Sequence, residues 1–284
     1  MLNGKLKKDA IANFERAKDQ YAVLLEVVSE KSEVLFALRS EESKQIIARS
    51  EALFSVIANK PIEFDRTFEA YHLEHQEFDD LSEEIRKKSE DVSFKAGSSA
   101  GAGIAAGAGI AAFGPTAAMA IATTFGTAST GTAISALGGA AATNAALAWL
   151  GGGAVAAGGG GGAEGGAFLA LAGPVGWVIG GSALVGSGLF ARRRNAKIAK
   201  EADEARREVE TYRSYLEVAD RAVDHLISET REHLAGITQM MSYLDQSLTT
   251  FDYTQFTQSQ KNMLIAIKNH VESLAKLIKM KAEF

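Results

Sequence analysis

The chain has no cysteine and only three prolines, Pro61, Pro115 and Pro174. The first absence excludes disulfide staples, thiolate metal sites and a cysteine nucleophile. The second leaves room for long helices, which proline would break. Positive charge is not in excess. A net charge of −5 argues against a nucleic-acid binder, which would carry a clustered basic face. The opening Met-Leu-Asn-Gly-Lys-Leu-Lys-Lys stays polar and lacks the apolar stretch of a signal peptide. Synthesis in the cytoplasm is therefore expected, with membrane association or secretion by a non-classical route to follow.

A further absence is regional. Between Ala96 and Ala191 the only charged residue is Glu164. Glycine shows the converse split: all but Gly4 and Gly236 of the 28 glycines lie between Gly97 and Gly188. Such a change of composition marks a change of physical environment. It divides the chain into an N-terminal arm (1–95), a glycine- and alanine-rich apolar segment (96–191) and a C-terminal arm (192–284).

Both arms read as helix. Phe14, Tyr21, Val28 and Leu35 recur every seven residues, with Ala17, Leu24 and Leu38 on the same stripe. Ile46, Ile47, Leu53, Phe54 and Ile57 mark a second stretch. Pro61 is placed to open a third, since proline is tolerated in a first turn. Phe64, Phe68, Tyr71, His75, Phe78, Ser82 and Ile85 then alternate steps of four and three. The C-terminal arm carries the longest seam, from Ile198, Ala202, Ala205 and Val209 through Leu216, Val223, Ile237 and Leu244 to Phe251. Asp252-Tyr253-Thr254 reads as a turn before a last helix bearing Leu264, Ile267, Val271, Leu274 and Ile278. A seam so narrow and regular predicts coiled-coil-like packing. The expected fold is all-α: an elongated bundle of long antiparallel helices with a central, membrane-compatible apolar segment.

The centre is apolar on every side, so no amphipathic surface helix fits. Ala96–Phe113, Thr116–Ile134, Ala140–Ala157 and Ala167–Ala191 approach the roughly 20 residues needed to cross a bilayer core, in two or four spans. Gly97, Gly101, Gly103, Gly107, Gly176 and Gly180 include pairs four apart, the spacing that lets helix backbones approach in lipid. Lys87, Lys88 and Lys95 on one side, and Arg192, Arg193 and Arg194 on the other, are candidate interface anchors. Trp149 and Trp177 are candidate interface aromatics. Thr116, Thr123, Thr127 and Thr130 share a helical face that would line a path in an assembled pore; the alternative is that each bonds its own backbone.

Little else carries chemistry. No Gly-Lys-Ser or Gly-Lys-Thr accompanies the glycines, so a nucleotide cradle is not expected. His72 and His75 share a face without a third metal ligand. His75 and His233 fall on apolar seams and read as core histidines with a hydrogen-bonded partner, whereas His225 and His270 have no recognisable company. Glu164 sits among glycines and reads as a loop carboxylate. No nucleophile–base–acid set stands out, so no enzyme, cofactor or metal is expected.

Long helical arms enclosing an apolar insertion resemble the helical pore-forming toxins of the cytolysin A and haemolysin BL type. The resemblance rests on the seams and on Gly97–Phe190, and this chain departs from it in the length and glycine content of that segment. It implies a soluble form that hides the segment against the arms, then releases it into a bilayer and oligomerises with copies of itself or related helical subunits. The runner-up is a permanently membrane-anchored coiled-coil scaffold. A third reading, a disordered glycine-rich insertion, leaves Trp149, Leu150, Phe168 and Trp177 without a purpose.

Overall fold

A computed structural model describes residues 2–98, 120–126 and 191–282. Among these the fold is all-α, and the one extended contact is an isolated bridge between Ala58 and Asp252. The helices are α1 (Leu2–Ala37), α2 (Ser43–Val56), α3 (Ile62–Ser98), α4 (Ala191–Ser247) and α5 (Gln258–Lys279). A π-helical turn, Leu38–Glu42, joins α1 to α2. At ~1.5 Å per residue the 57 residues of α4 reach about 85 Å.

The predicted seams are the buried ones. Phe14, Tyr21, Val28 and Leu35 of α1 are buried, as are Val209, Leu216, Val223, Ile237 and Leu244 of α4 and all five named positions of α5. The seam of α4 ends sooner than the spacing suggests. Phe251 lies past the end of the helix and is 51% exposed.

The direction of packing differs from expectation. Arg213 bonds Gln20, Lys31 bonds Asp220 and Asp224, and Arg49 bonds Asp245, so numbers rise together along both partners. The α1–α2 rod and α4 therefore run parallel. Helices α3 and α5 also run parallel, through Thr67 to Glu272 and Lys279 to Glu74 and Glu77. Antiparallel packing is seen within each hairpin: Phe54 meets Phe64 and Phe68, both at 5.1 Å edge to face, and Gln260 reaches the Ser247 carbonyl. An apolar stripe tells which face is buried but not the direction of its partner, so the seams could not settle this.

The two hairpin turns are tied together. The Ala58 N–H donates to the Phe251 carbonyl at 2.7 Å, and the Tyr253 N–H to the Ala58 carbonyl at 2.9 Å. Asn59 adopts φ 55° and donates to Asp252 at 3.1 Å. Asparagine tolerates this left-handed region better than most side chains. Hydrogen bonds from the Thr254 hydroxyl, Asn59 and the Thr254 N–H hold the Asp252 carboxyl down at about 2. Thr257 and Gln260 then form a capping box that starts α5.

The π-turn re-phases the first rod. Buried positions 28, 32, 35 and 39 follow four-and-three steps; the next are 43, 47, 50 and 54. A regular heptad would have placed 42, 46, 49 and 53 on the seam. One extra residue, closed by the Ser43 N–H bonding the Leu38 carbonyl, shifts the face by one position. Serines at the crowded seam satisfy themselves: Ser32, Ser43, Ser50 and Ser82 each donate to the carbonyl four residues back.

Candidate functional site

Residues 120–126 belong to the apolar segment, and all of them are buried. Ala120–Phe125 is helical, and the Gly126 N–H closes it by donating to the Ala122 carbonyl at 2.9 Å. Ile121, Ala122 and Phe125 join the same hydrophobic cluster as Phe78 and Leu81 of α3, Leu226 of α4 and Leu277 of α5. Part of the apolar segment is thus packed into the core of the bundle. Each fully buried Ile or Phe contributes about 1.5–3 kcal/mol relative to exposure.

The segment meets the bundle where α5 ends. After Lys279 the chain continues extended, and the Ala282 N–H donates to the Thr124 carbonyl at 2.8 Å. Ala282 is 3% exposed. Two residues earlier, the Met280 carbonyl accepts a 2.7 Å bond from Arg39 Nη2. Lys279 is held by Glu74 and Glu77 of α3. The tail Met280–Ala282 therefore bridges the π-turn and the docked segment.

Arg39 is the unusual member of this group. It is 1% exposed, and its Nε and Nη1 have no hydrogen-bond partner. Burial lowers its pKa to about 9, which leaves it protonated at neutral pH. A buried charge with part of its donor set unmet is costly. The sequence does hold the signal, because Arg39 falls on the seam step after Leu35. It was overshadowed by Leu38, which is also buried.

Thr123, a candidate pore-lining residue, is 1% exposed and its hydroxyl donates to the Ala120 carbonyl at 3.1 Å. Here it makes the own-backbone bond of a buried threonine. Lys87, a candidate anchor, is exposed and pairs with Glu83 at 3.3 Å. Arg86 and Lys87 hold the Glu83 carboxyl low, at about 2. Gly97 lies in the last turn of α3. Lys88 and Lys95 lie in α3 and Arg192, Arg193 and Arg194 in α4, with their side chains outside the described residues. Gly101, Gly103, Gly107, Gly176, Gly180, Thr116, Thr127, Thr130, Trp149, Trp177 and Glu164 also lie outside them, as do most of the four candidate spans. Among the described residues no helix is long and apolar enough to cross a membrane.

The histidines divide. His75 is buried, with Nε2 3.1 Å from the Ser40 carbonyl and Nδ1 3.1 Å from Asp79. His72 pairs with Glu51 at 2.8 Å and His225 with Glu229 at 3.4 Å. His270, expected to stand alone, meets His233 with their Nδ1 atoms 2.8 Å apart, one ring donating to the other. Periodicity missed the pair because His270 flanks the α5 seam, while Gly236 on α4 makes the approach possible. A Cβ on Gly236 would stand 2.9 Å from His270 Nε2. Burial, and then His233, push the His270 pKa down. Among the described residues no group of three or more acidic or histidine side chains could hold a metal. No family model, curated protein or solved structure matches this chain.

Proposed function

We propose that this protein is a membrane-active helical protein of the pore-forming kind, which stows its apolar segment against a soluble bundle and delivers it to a bilayer. The observation that carries the reading is the burial of Ile121, Ala122 and Phe125, drawn from an otherwise charge-free stretch, in the core of two charged helical hairpins. Such a stretch has few places to go. In water it must be covered, and in a bilayer its alanine, valine and leucine content needs no cover. The free-energy difference between those two states sets whether the segment is docked or inserted. Oligomerisation would follow from the four-residue glycine spacing, which permits close helix packing in lipid.

Purified protein mixed with dye-loaded anionic and neutral vesicles tests this. Release of dye by protein that was soluble without detergent is the expected result. Protein that stays in solution and never floats with vesicles would overturn the membrane reading. Protein recovered only in detergent, and releasing no dye, would be a constitutive anchor or scaffold instead.

A further inference from the structure

We propose that the tail Met280–Ala282 is a clasp that keeps the apolar segment docked and has to open before the segment is released. The inference deepens the membrane reading above and rests on it for its biological purpose, though not for its structural content.

Three observations converge on the tail. Its last described residue donates a backbone hydrogen bond to the Thr124 carbonyl, at 2.8 Å, in the middle of the docked segment. Its first residue is held by a buried arginine from the opposite rod. The lysine just before it is tied to two glutamates of α3. The tail is therefore fastened to α1–α3 on one side and to the apolar segment on the other. A groove of about 500 Å³, lined by Ala222, His225 and Leu226 of α4, lies alongside it.

Arg39 supplies the argument for a dedicated role. A methionine in this place would fill a similar volume without a buried charge, and such exchanges are commonly neutral or stabilising. The arginine instead leaves Nε and Nη1 without partners and makes a single hydrogen bond, to the tail. It sits on a π-turn, an interruption found often at functional positions. A residue that costs the bundle stability and contributes only a hold on Met280 is explained if holding Met280 matters.

Because the chain has no cysteine, Ala122→Cys introduces a single thiol at a fully buried position of the docked segment. Its rate of reaction with a maleimide in detergent-free buffer reports undocking. Two clasp variants are placed in that background. Ala282→Pro removes the N–H that bonds Thr124, and Arg39→Met removes the hold on Met280. Each is expected to raise the labelling rate by about tenfold, the effect of losing one buried hydrogen bond. Helix content should stay at the parent's value, and the urea midpoint should fall for Ala282→Pro by no more than that tenfold weakening of docking, or rise for Arg39→Met. A labelling rate within twofold of the parent in both variants overturns the clasp, as does labelling whose urea dependence equals that of global unfolding, which would mean that the thiol is reached only through the unfolded chain. Vesicle leakage is read on the same samples. Faster labelling without leakage retains the clasp and removes the membrane reading; leakage with unchanged labelling does the reverse.

Discussion

Replacing Phe125 with alanine separates a docked segment from an integral part of the core. Phe125 is 3% exposed, and Phe54, between α2 and α3, is 1% exposed. Truncating either aromatic would ordinarily cost ~3–5 kcal/mol through lost transfer energy and a residual cavity. The two sites differ in what the protein can do about it. Phe54 is enclosed by Phe64 and Phe68 of the next helix, and only global unfolding removes it from the cavity. On the proposed function, Phe125 leaves with its segment. Burial of Ile121 and Phe125 together favours docking by about 3–6 kcal/mol, so the undocked parent is populated at roughly one part in 10² to 10⁴. Truncating Phe125 removes its share of that, about 1.5–3 kcal/mol, and leaves a cavity besides, so undocking comes much closer to docking. The loss in global stability is then capped by the docking free energy. Urea titration followed by circular dichroism should show a full loss for Phe54→Ala and a smaller one for Phe125→Ala. Vesicle flotation of Phe125→Ala should rise at the same time. Equal losses at the two sites, with unchanged flotation, would show that the segment never leaves the bundle.

Other outcomes follow from the same geometry. Joining 1–95 to 192–284 through a flexible linker should give a soluble chain that melts cooperatively, since the two hairpins supply each other's partners; an aggregated product would show that the bundle cannot stand without the docked residues. His270 has a native pKa below its ordinary 6.5, so the unfolded chain binds the proton more readily. Its contribution to stability is present above ~6.5 and is lost as pH falls from there toward the native value; His270→Gln should flatten the melting temperature over that window, and an unchanged slope would refute it. Gly236→Ala gains up to ~1 kcal/mol of helix propensity and displaces the His270 ring at a cost of about 0.5–1.5 kcal/mol, so melting at pH 8 should hardly move while the acid dependence shrinks. Gly180→Leu should still bind vesicles but lose dye release, because a bulky side chain keeps helices apart in lipid, whereas Val178→Asp should weaken binding itself. Dye release by the leucine variant equal to the parent's would refute the packing argument.

The arms were legible because each carries a periodic apolar stripe, and a stripe of that period has one stable use. From Ile198 to Leu244 most seam positions are buried, although Ala205, Tyr212, His233 and Met240 are only partly so, and the neighbouring Leu234 and Met241 are buried beside the last two. The π-turn was legible only as a slip of phase between Leu35 and Ile47, which is easy to absorb by reading two separate helices. Helix direction was not legible, because facing stripes serve parallel and antiparallel partners alike. The two turns that decide it meet through backbone bonds between Ala58, Phe251 and Tyr253, which leave no trace in side-chain pattern. Within the apolar segment the sequence has no contrast: Ala120 to Gly126 looks like its neighbours. Nothing in composition marks it as the part that docks. Arg39 shows the opposite case, a charged residue placed on an apolar stripe, and its partner is a carbonyl 241 positions away that no local pattern could name.

Unequal helix lengths give the docking site a physical origin. Helix α4 has 57 residues and its returning partner α5 has 22. The difference, 57 − 22 = 35 residues, corresponds to about 50 Å of α4 that α5 does not accompany. On the other side, α3 has 37 residues and also runs past the end of α5, as its partners Thr67 and Glu74 near that end show. Where α5 stops, its neighbours still present apolar seam residues, Phe78 and Leu81 from α3 and Leu226 from α4, and these share one continuous buried core with Ile121 and Phe125. A full-length α5 would have filled that place permanently. A short one leaves that place to residues 121–125 and puts residues 280–282 beside them. On the proposed function, then, the truncation of α5 is what allows the same bundle to be stable with the segment docked and to survive its departure.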